Sequence, residues 1–138
     1  MFRHLRISLT VVAFMTLAAG VLVVALANAG TGSCEGTRIA LLTHTSTRSG
    51  DVIAKTGVYD NGTRICAVSV KQGYFYGKDT WMSLTLFKTG TTPDSDTGTF
   101  LYQAGPVRKN RDGCVNVELD MRNLQGQLIL QDYRGICA

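Results

Sequence analysis

Cys34, Cys66, Cys114 and Cys137 are the residues of this 138-residue chain best suited to covalent chemistry. Zinc takes thiolates that arrive in close pairs such as Cys-x-x-Cys, but the gaps here run to dozens of residues, so two disulfides are the expected use. Four cysteines allow three connectivities. The nested pairing, Cys34 with Cys137 and Cys66 with Cys114, is expected because closing the termini and bridging two sheets constrains the unfolded chain most, each link contributing about 4 kcal/mol in the loop-entropy relation.

Catalytic groups are few. His44, in Thr43-His44-Thr45-Ser46-Thr47, could activate a serine with Asp51 or Asp60 as the orienting acid. No Gly-x-Ser-x-Gly elbow accompanies it, and a lone histidine at a strand end reads as solvated. Glu118 and Asp120 share a strand face at i and i+2, as the two carboxylates of a glycosidase must face each other, yet any wet β face has this spacing. Asp94 and Asp96, with Asp79 nearby, could offer oxygens to calcium, but the spacing matches no EF-hand loop. No catalytic residue, metal or cofactor is therefore expected.

Two groups of residues suit binding. Tyr74, Phe75, Tyr76 and Trp81 concentrate rings between Gly73 and Trp81 together with Lys78 and Asp79, and rings with polar tips suit carbohydrate or protein surfaces. The competing expectation is that these rings fold back over the core. Arg108, Lys109 and Arg111 lie in a basic stretch after Pro106 that could touch an anionic wall polymer. Asn61-Gly62-Thr63 matches a glycosylation sequon but reads better as turn chemistry.

These groups must be held by strands. Short runs rich in Val, Ile, Thr and aromatics, separated by Gly, Asn, Asp and Ser, predict strands at 37–43, 52–59, 64–71, 81–87, 99–102, 114–121 and 127–133. The fold class is all-β, a small single-domain sandwich or barrel of about seven antiparallel strands. Asp60-Asn61-Gly62 predicts a type I′ hairpin turn, and a second turn falls at Asn123–Gly126. Lys88 to Gly98 predicts a surface loop. Pro106, with its fixed φ and missing N–H, predicts the end of strand pairing and a basic loop from Arg108 to Gly113.

Ahead of this pattern, Arg3 and Arg6 precede an uncharged stretch from Ile7 to Ala29 that ends in Ala27-Asn28-Ala29. That order predicts a signal peptide over 1–29 and a secreted domain over 30–138, although the apolar part is nearly long enough to be kept as an anchor. Removing Arg3 and Arg6 lowers the formal charge from +4 to +2. A near-neutral chain with scattered basic residues leaves no footprint for nucleic acid, and contact with a membrane is expected only through the leader.

Gly98-Thr99-Phe100-Leu101-Tyr102-Gln103-Ala104-Gly105-Pro106-Val107, followed by Gly113-Cys114-Val115, resembles the segment around the third cysteine of the spore-associated protein A family of Streptomyces and related actinobacteria. Arg64-Ile65-Cys66-Ala67-Val68 resembles that family's second-cysteine strand, and Gly135-Ile136-Cys137-Ala138 its end. The chain differs in having Gln103 in place of a tyrosine, and Val117-Glu118-Leu119 in place of a tryptophan-glycine motif. The resemblance implies a small extracellular protein at the spore or cell surface, without an established activity.

The functional expectation is a non-enzymatic envelope or spore-surface protein that binds a polymer or another protein. An inhibitor of secreted proteases, presenting Lys88 to Gly98 or Arg108 to Gly113, is the alternative, and a small hydrolase using His44 or Glu118 with Asp120 is the third.

Overall fold

Met82, Leu84 and Leu86 point to one side of their strand and Trp81, Ser83, Thr85 and Phe87 to the other, and the same alternation buries Val115, Val117, Leu119 and Met121. In the computed structural model, which describes residues 32–137, such strands number eight: β1 (Thr37–Thr45), β2 (Val52–Asp60), β3 (Arg64–Lys71), β4 (Thr80–Phe87), β5 (Asp94–Phe100), β6 (Gln103–Asn110), β7 (Val115–Arg122) and β8 (Leu128–Ile136). One short 3-10 turn, Gly73–Phe75, interrupts the β pattern. The expected leader and its cleavage site lie outside the described residues.

The strands form two four-stranded antiparallel sheets, ordered β1-β2-β3-β6 and β5-β4-β7-β8. Consecutive strands β3 and β4 lie in different sheets, as do β6 and β7, while β3 pairs with β6 and β4 with β7. This crossing interlocks the two layers as a Greek-key sandwich. Val58, Ile65, Leu84, Leu86, Leu119 and Met121 meet between them, almost wholly shielded from solvent. Strict antiparallel passage puts the connections β1–β2, β3–β4, β5–β6 and β7–β8 at one end of the sandwich, called here the loop end. The connections β2–β3, β4–β5 and β6–β7 lie at the other end with both disulfides.

The pairing is sequential, Cys34–Cys66 and Cys114–Cys137, which corrects the nested expectation. Register decides it. In the β7–β8 hairpin Val115 faces Ile136, so Cys114 and Cys137 occupy the next opposed positions, close enough to bond. Residues 32–36 cross the outer face of the first sheet: the Gly32 carbonyl accepts a hydrogen bond from Gln103 Nε2 on β6, and Cys34 reaches Cys66 on β3. Each bridge thus staples one sheet rather than joining the two.

Two further expectations change. The polar stretch ending at Gly98 is a loop only as far as Pro93; Asp94–Phe100 is β5, and the strand expected at 99–102 is only its end. The chain also re-enters a sheet as β6 through the cis Gly105–Pro106 bond, so Arg108 and Lys109 lie in a strand and not in the expected loop. Pro106 is tolerated because β6 is an edge strand, and a register shift opposite Ala67–Ser69 absorbs Gly105 and Pro106. Gly105 has φ +96°, and a Cβ there would come within 2.8 Å of the Ala67 carbonyl oxygen.

The polar sequence of β5 has a direct cause. Asp94 and Asp96 sit at inward positions, opposite Leu86 and Leu84, but face the unpaired edge of β6 instead of the core. Asp96 Oδ2 accepts the Gly105 N–H (2.6 Å) and Asp94 Oδ2 the Arg108 N–H (2.7 Å). These carboxylates close one open side of the sandwich and cover an edge that would otherwise invite pairing with another chain. They are occupied by backbone and lie far along β4 from Asp79, so the calcium reading fails. Among the described residues no group of His, Cys, Asp and Glu is arranged to hold a metal ion.

The Asp60–Gly62 hairpin forms, but not as type I′, which requires positive φ at both central residues. Only Gly62 has it (φ +92°). Asn61 instead accepts the N–H groups of Thr63 and Arg64 on its side-chain oxygen, the role of an Asx turn.

Candidate functional site

At the loop end, the β1–β2 turn, the Gly73–Phe75 turn and the β7–β8 turn enclose a cleft of about 620 Å³. Its lining includes Val52, Ile53, Phe75 and Ile129 as apolar wall and Arg48, Asp51, Ser49, Asn123 and Gln125 as polar groups. Volume and lining match those of small-molecule or anchor-residue sites. Tyr74 forms part of the wall with 64% of its surface exposed. Its ring meets Phe75 edge-on at 5.2 Å, and the Lys78 ammonium sits 4.5 Å from its centre. Phe75 packs on the core, so one ring of the aromatic run does fold back as the competing expectation held, whereas Tyr74 does not.

The other rings of that run go elsewhere. Tyr76 stacks at a tilt on Tyr102 (5.0 Å) beside the β5–β6 turn. Trp81 lies on the outer face of the second sheet beneath the Arg122 guanidinium, 4.7 Å away. Neither lines the cleft. Arg108, Lys109 and Arg111 are at the opposite end, and Arg111 is paired with Asp60 (2.5 Å). The expected ligand-binding residues therefore form no single surface: the aromatic set is divided among the cleft, Tyr102 and an outer sheet face, and the basic set lies at the opposite end.

His44 is not solvated. Because β1 continues to Thr45, the alternation Ala40, Leu42, His44 turns the imidazole inward, where it is 1% exposed. Nδ1 donates to Asp132 Oδ2 on β8 (2.9 Å), and Nε2 faces the Thr56 hydroxyl (2.8 Å), which lies 3.0 Å from that of Ser69. Neither Asp51 nor Asp60 takes part. The order carboxylate, imidazole, hydroxyl matches a nucleophilic triad, yet Thr56 and Ser69 are fully buried, so no substrate reaches the oxygen. The chain of bonds ties β1 to β8 and closes the second open side of the sandwich, beside the Thr47 N–H donated to the Ile129 carbonyl (2.9 Å).

This linkage is expected to make the fold less stable in acid. Burial holds the His44 pKa below its ordinary value, the Asp132 bond and charge working against it and the Arg134 charge with it. The unfolded chain takes up a proton near pH 6.5 that the folded protein resists, so stability present above that pH is lost as the pH falls below it. Burial of Asp132 works upward on its own pKa, but hydrogen bonds from Arg134 and His44 hold the carboxyl below its usual range, adding a second loss below about pH 4. Thermal unfolding is expected at a lower temperature at pH 5 than at pH 7, and His44→Gln should flatten the difference. Equal melting temperatures at the two pH values would refute it.

Sequence reasoning missed Lys71. Its ammonium is enclosed at the loop end, donating to the carbonyls of Lys78 (2.7 Å), Thr80 (3.3 Å) and Phe100 and to Thr80 Oγ1 (2.6 Å). Burial lowers its pKa to about 8, against the upward pull of Asp79, so it remains a cation at neutral pH. It fastens the end of β3 to the start of β4 and the end of β5, behind the aromatic turn. Glu118 and Asp120 do share the outer face of β7. Burial, and then the Glu118 charge, raises the Asp120 pKa, and Asp120 Oδ1 has no hydrogen-bond partner among the described residues.

The two disulfides fit an oxidising compartment, and among the described residues no helix is long and apolar enough to cross a membrane. Comparison with protein-family models, with curated proteins and with solved structures finds no match.

Proposed function

We propose that this is a secreted, non-enzymatic binding domain of the cell envelope or spore surface, and that the cleft at its loop end holds a group presented by a polymer or protein partner. The carrying observation is the cleft of about 620 Å³ with an apolar wall and a largely exposed tyrosine on its rim. Loops held by a rigid scaffold are where binding sites concentrate, and Lys71 anchors the strands beneath this one. The sealing of the His44 network favours binding over hydrolysis. The resemblance to the spore-associated protein A family supports the location and is silent on the ligand.

The oxidised protein should be retained saturably on insoluble cell wall, chitin or intact spores across a salt series. Tyr74→Ala is expected to weaken retention about tenfold or more, the loss typical of an aromatic anchor. Tyr76→Ala and Trp81→Ala, whose rings lie outside the cleft, should bind as wild type. Retention that survives Tyr74→Ala, or that fails with the Trp81 variant instead, would remove the site from the cleft.

A further inference from the structure

We infer that the opposite, disulfide-stapled end carries a second binding site, for a phosphate group, built on Arg64 and Arg108. The two residues are distant in sequence and come together through the β3–β6 register: Arg64 faces Asn110 and Cys66 faces Arg108, so the arginines are diagonal neighbours on one sheet face. Together with Lys109, Asn110 and Asp94 they line a polar hollow of about 350 Å³.

The charge in the hollow is unbalanced. Asp94 is its only carboxylate among the described residues, and its Oδ2 is engaged by the Arg108 backbone N–H. Two neighbouring cations of this end are neutralised locally: Arg111 pairs with Asp60, and Lys88 with Asp112. Arg64 and Arg108 form no ion pair among the described residues, and the Arg108 guanidinium makes only a long contact, 3.4 Å, to the Ser33 carbonyl. Lys109 gives its ammonium to the Thr92 carbonyl, which orients the charge without cancelling it. Both arginines stand on hydrogen-bonded strands, and the Cys34–Cys66 disulfide pins the strand position between them. Two guanidiniums projecting from neighbouring positions of one rigid sheet face suit the paired oxygens of a phosphate, because each can donate two parallel N–H bonds. The ligand is a phosphate group, either free or carried on an anionic polymer. The site lies at the far end of the sandwich from the loop-end cleft and does not depend on that reading.

Isotope-labelled, oxidised protein titrated with inorganic phosphate and with linear polyphosphate at about 50 mM salt tests this. Amide shifts at Arg64 and Arg108 that saturate, and an affinity for polyphosphate that falls about tenfold in Arg64→Gln/Arg108→Gln, are expected. Arg111→Gln, already paired, and Tyr74→Ala should leave it nearly unchanged. Saturation by inorganic phosphate identifies a free-ion site, and binding of polyphosphate alone a polymer site; either supports the assignment. Neither probe binding, or polyphosphate held equally by the double variant, would overturn it.

Discussion

Reducing both disulfides is expected to lower the unfolding free energy by about 7 kcal/mol, about 3.5 kcal/mol for each closed loop. The loops span sequence separations of 32 and 23 residues. Small domains are stable by only about 5–15 kcal/mol in total, so the reduced protein should be largely unfolded at 37 °C. Denaturant titration with and without reductant measures the sum, and the Cys34→Ser/Cys66→Ser and Cys114→Ser/Cys137→Ser pairs measure the parts. Because each bridge staples a different sheet, the two losses should be nearly additive. Peptide mapping without reduction checks the premise. Recovery of a Cys34–Cys137 peptide would contradict the register on which the pairing rests.

The second large effect belongs to Lys71. In Lys71→Met the volume is kept, but the carbonyls of Lys78, Thr80 and Phe100 and the Thr80 hydroxyl lose their shared donor. Each orphaned buried group costs about 1–3 kcal/mol. Against this, removing the charge recovers about 3 kcal/mol of burial cost, the equivalent of a pKa brought down to about 8. With three carbonyls and a hydroxyl affected, the orphaned groups outweigh the recovery, and a net loss of about 3 kcal/mol is expected at pH 7. The pH dependence carries the opposite signature. Above pH 8 the folded protein sheds a proton that the unfolded chain keeps until about pH 10.4, so wild-type stability should rise over that window. The Met variant lacks the rise. A variant as stable as wild type at pH 7 would show that the buried ammonium costs as much as its bonds return.

Most of the fold was legible. Strict alternation in Trp81–Phe87 and Val115–Met121 has one physical solution, a strand with one face on a core, and Asn123–Gly126 admits little but a turn. The disulfide between Cys114 and Cys137 was not legible in the same way: extending that hairpin outward from Arg122 and Leu128 without interruption puts Cys114 opposite Ile136, and only the register shift between Met121 and Arg122 brings Cys137 opposite Cys114. His44 could have been found by carrying the β1 alternation two residues further. Lys71 was harder to find, because Cys66, Val68 and Val70 on one face of β3 are as apolar as Ile65 and Ala67 on the other, and nothing local says which face turns inward.

The candidate sites were less legible for the same kind of reason. Tyr74, Tyr76 and Trp81 are close in sequence, but a turn and the start of a strand send their rings to a cleft, to Tyr102 and to an outer face. Arg64 and Arg108 are far apart in sequence and meet only through sheet register.

By itself the sequence determined the class of the protein: all-β, with four cysteines able to form two bridges. Periodicity, turn residues and cysteine count act locally or by composition and need no partner to be read. Only the tertiary structure decided which cysteines join, that Asp94 and Asp96 serve a neighbouring edge, that His44 and Lys71 are enclosed, and that the expected binding residues form no single surface. Each of these depends on which strand lies beside which, and that is settled by long-range burial and pairing across the whole sandwich.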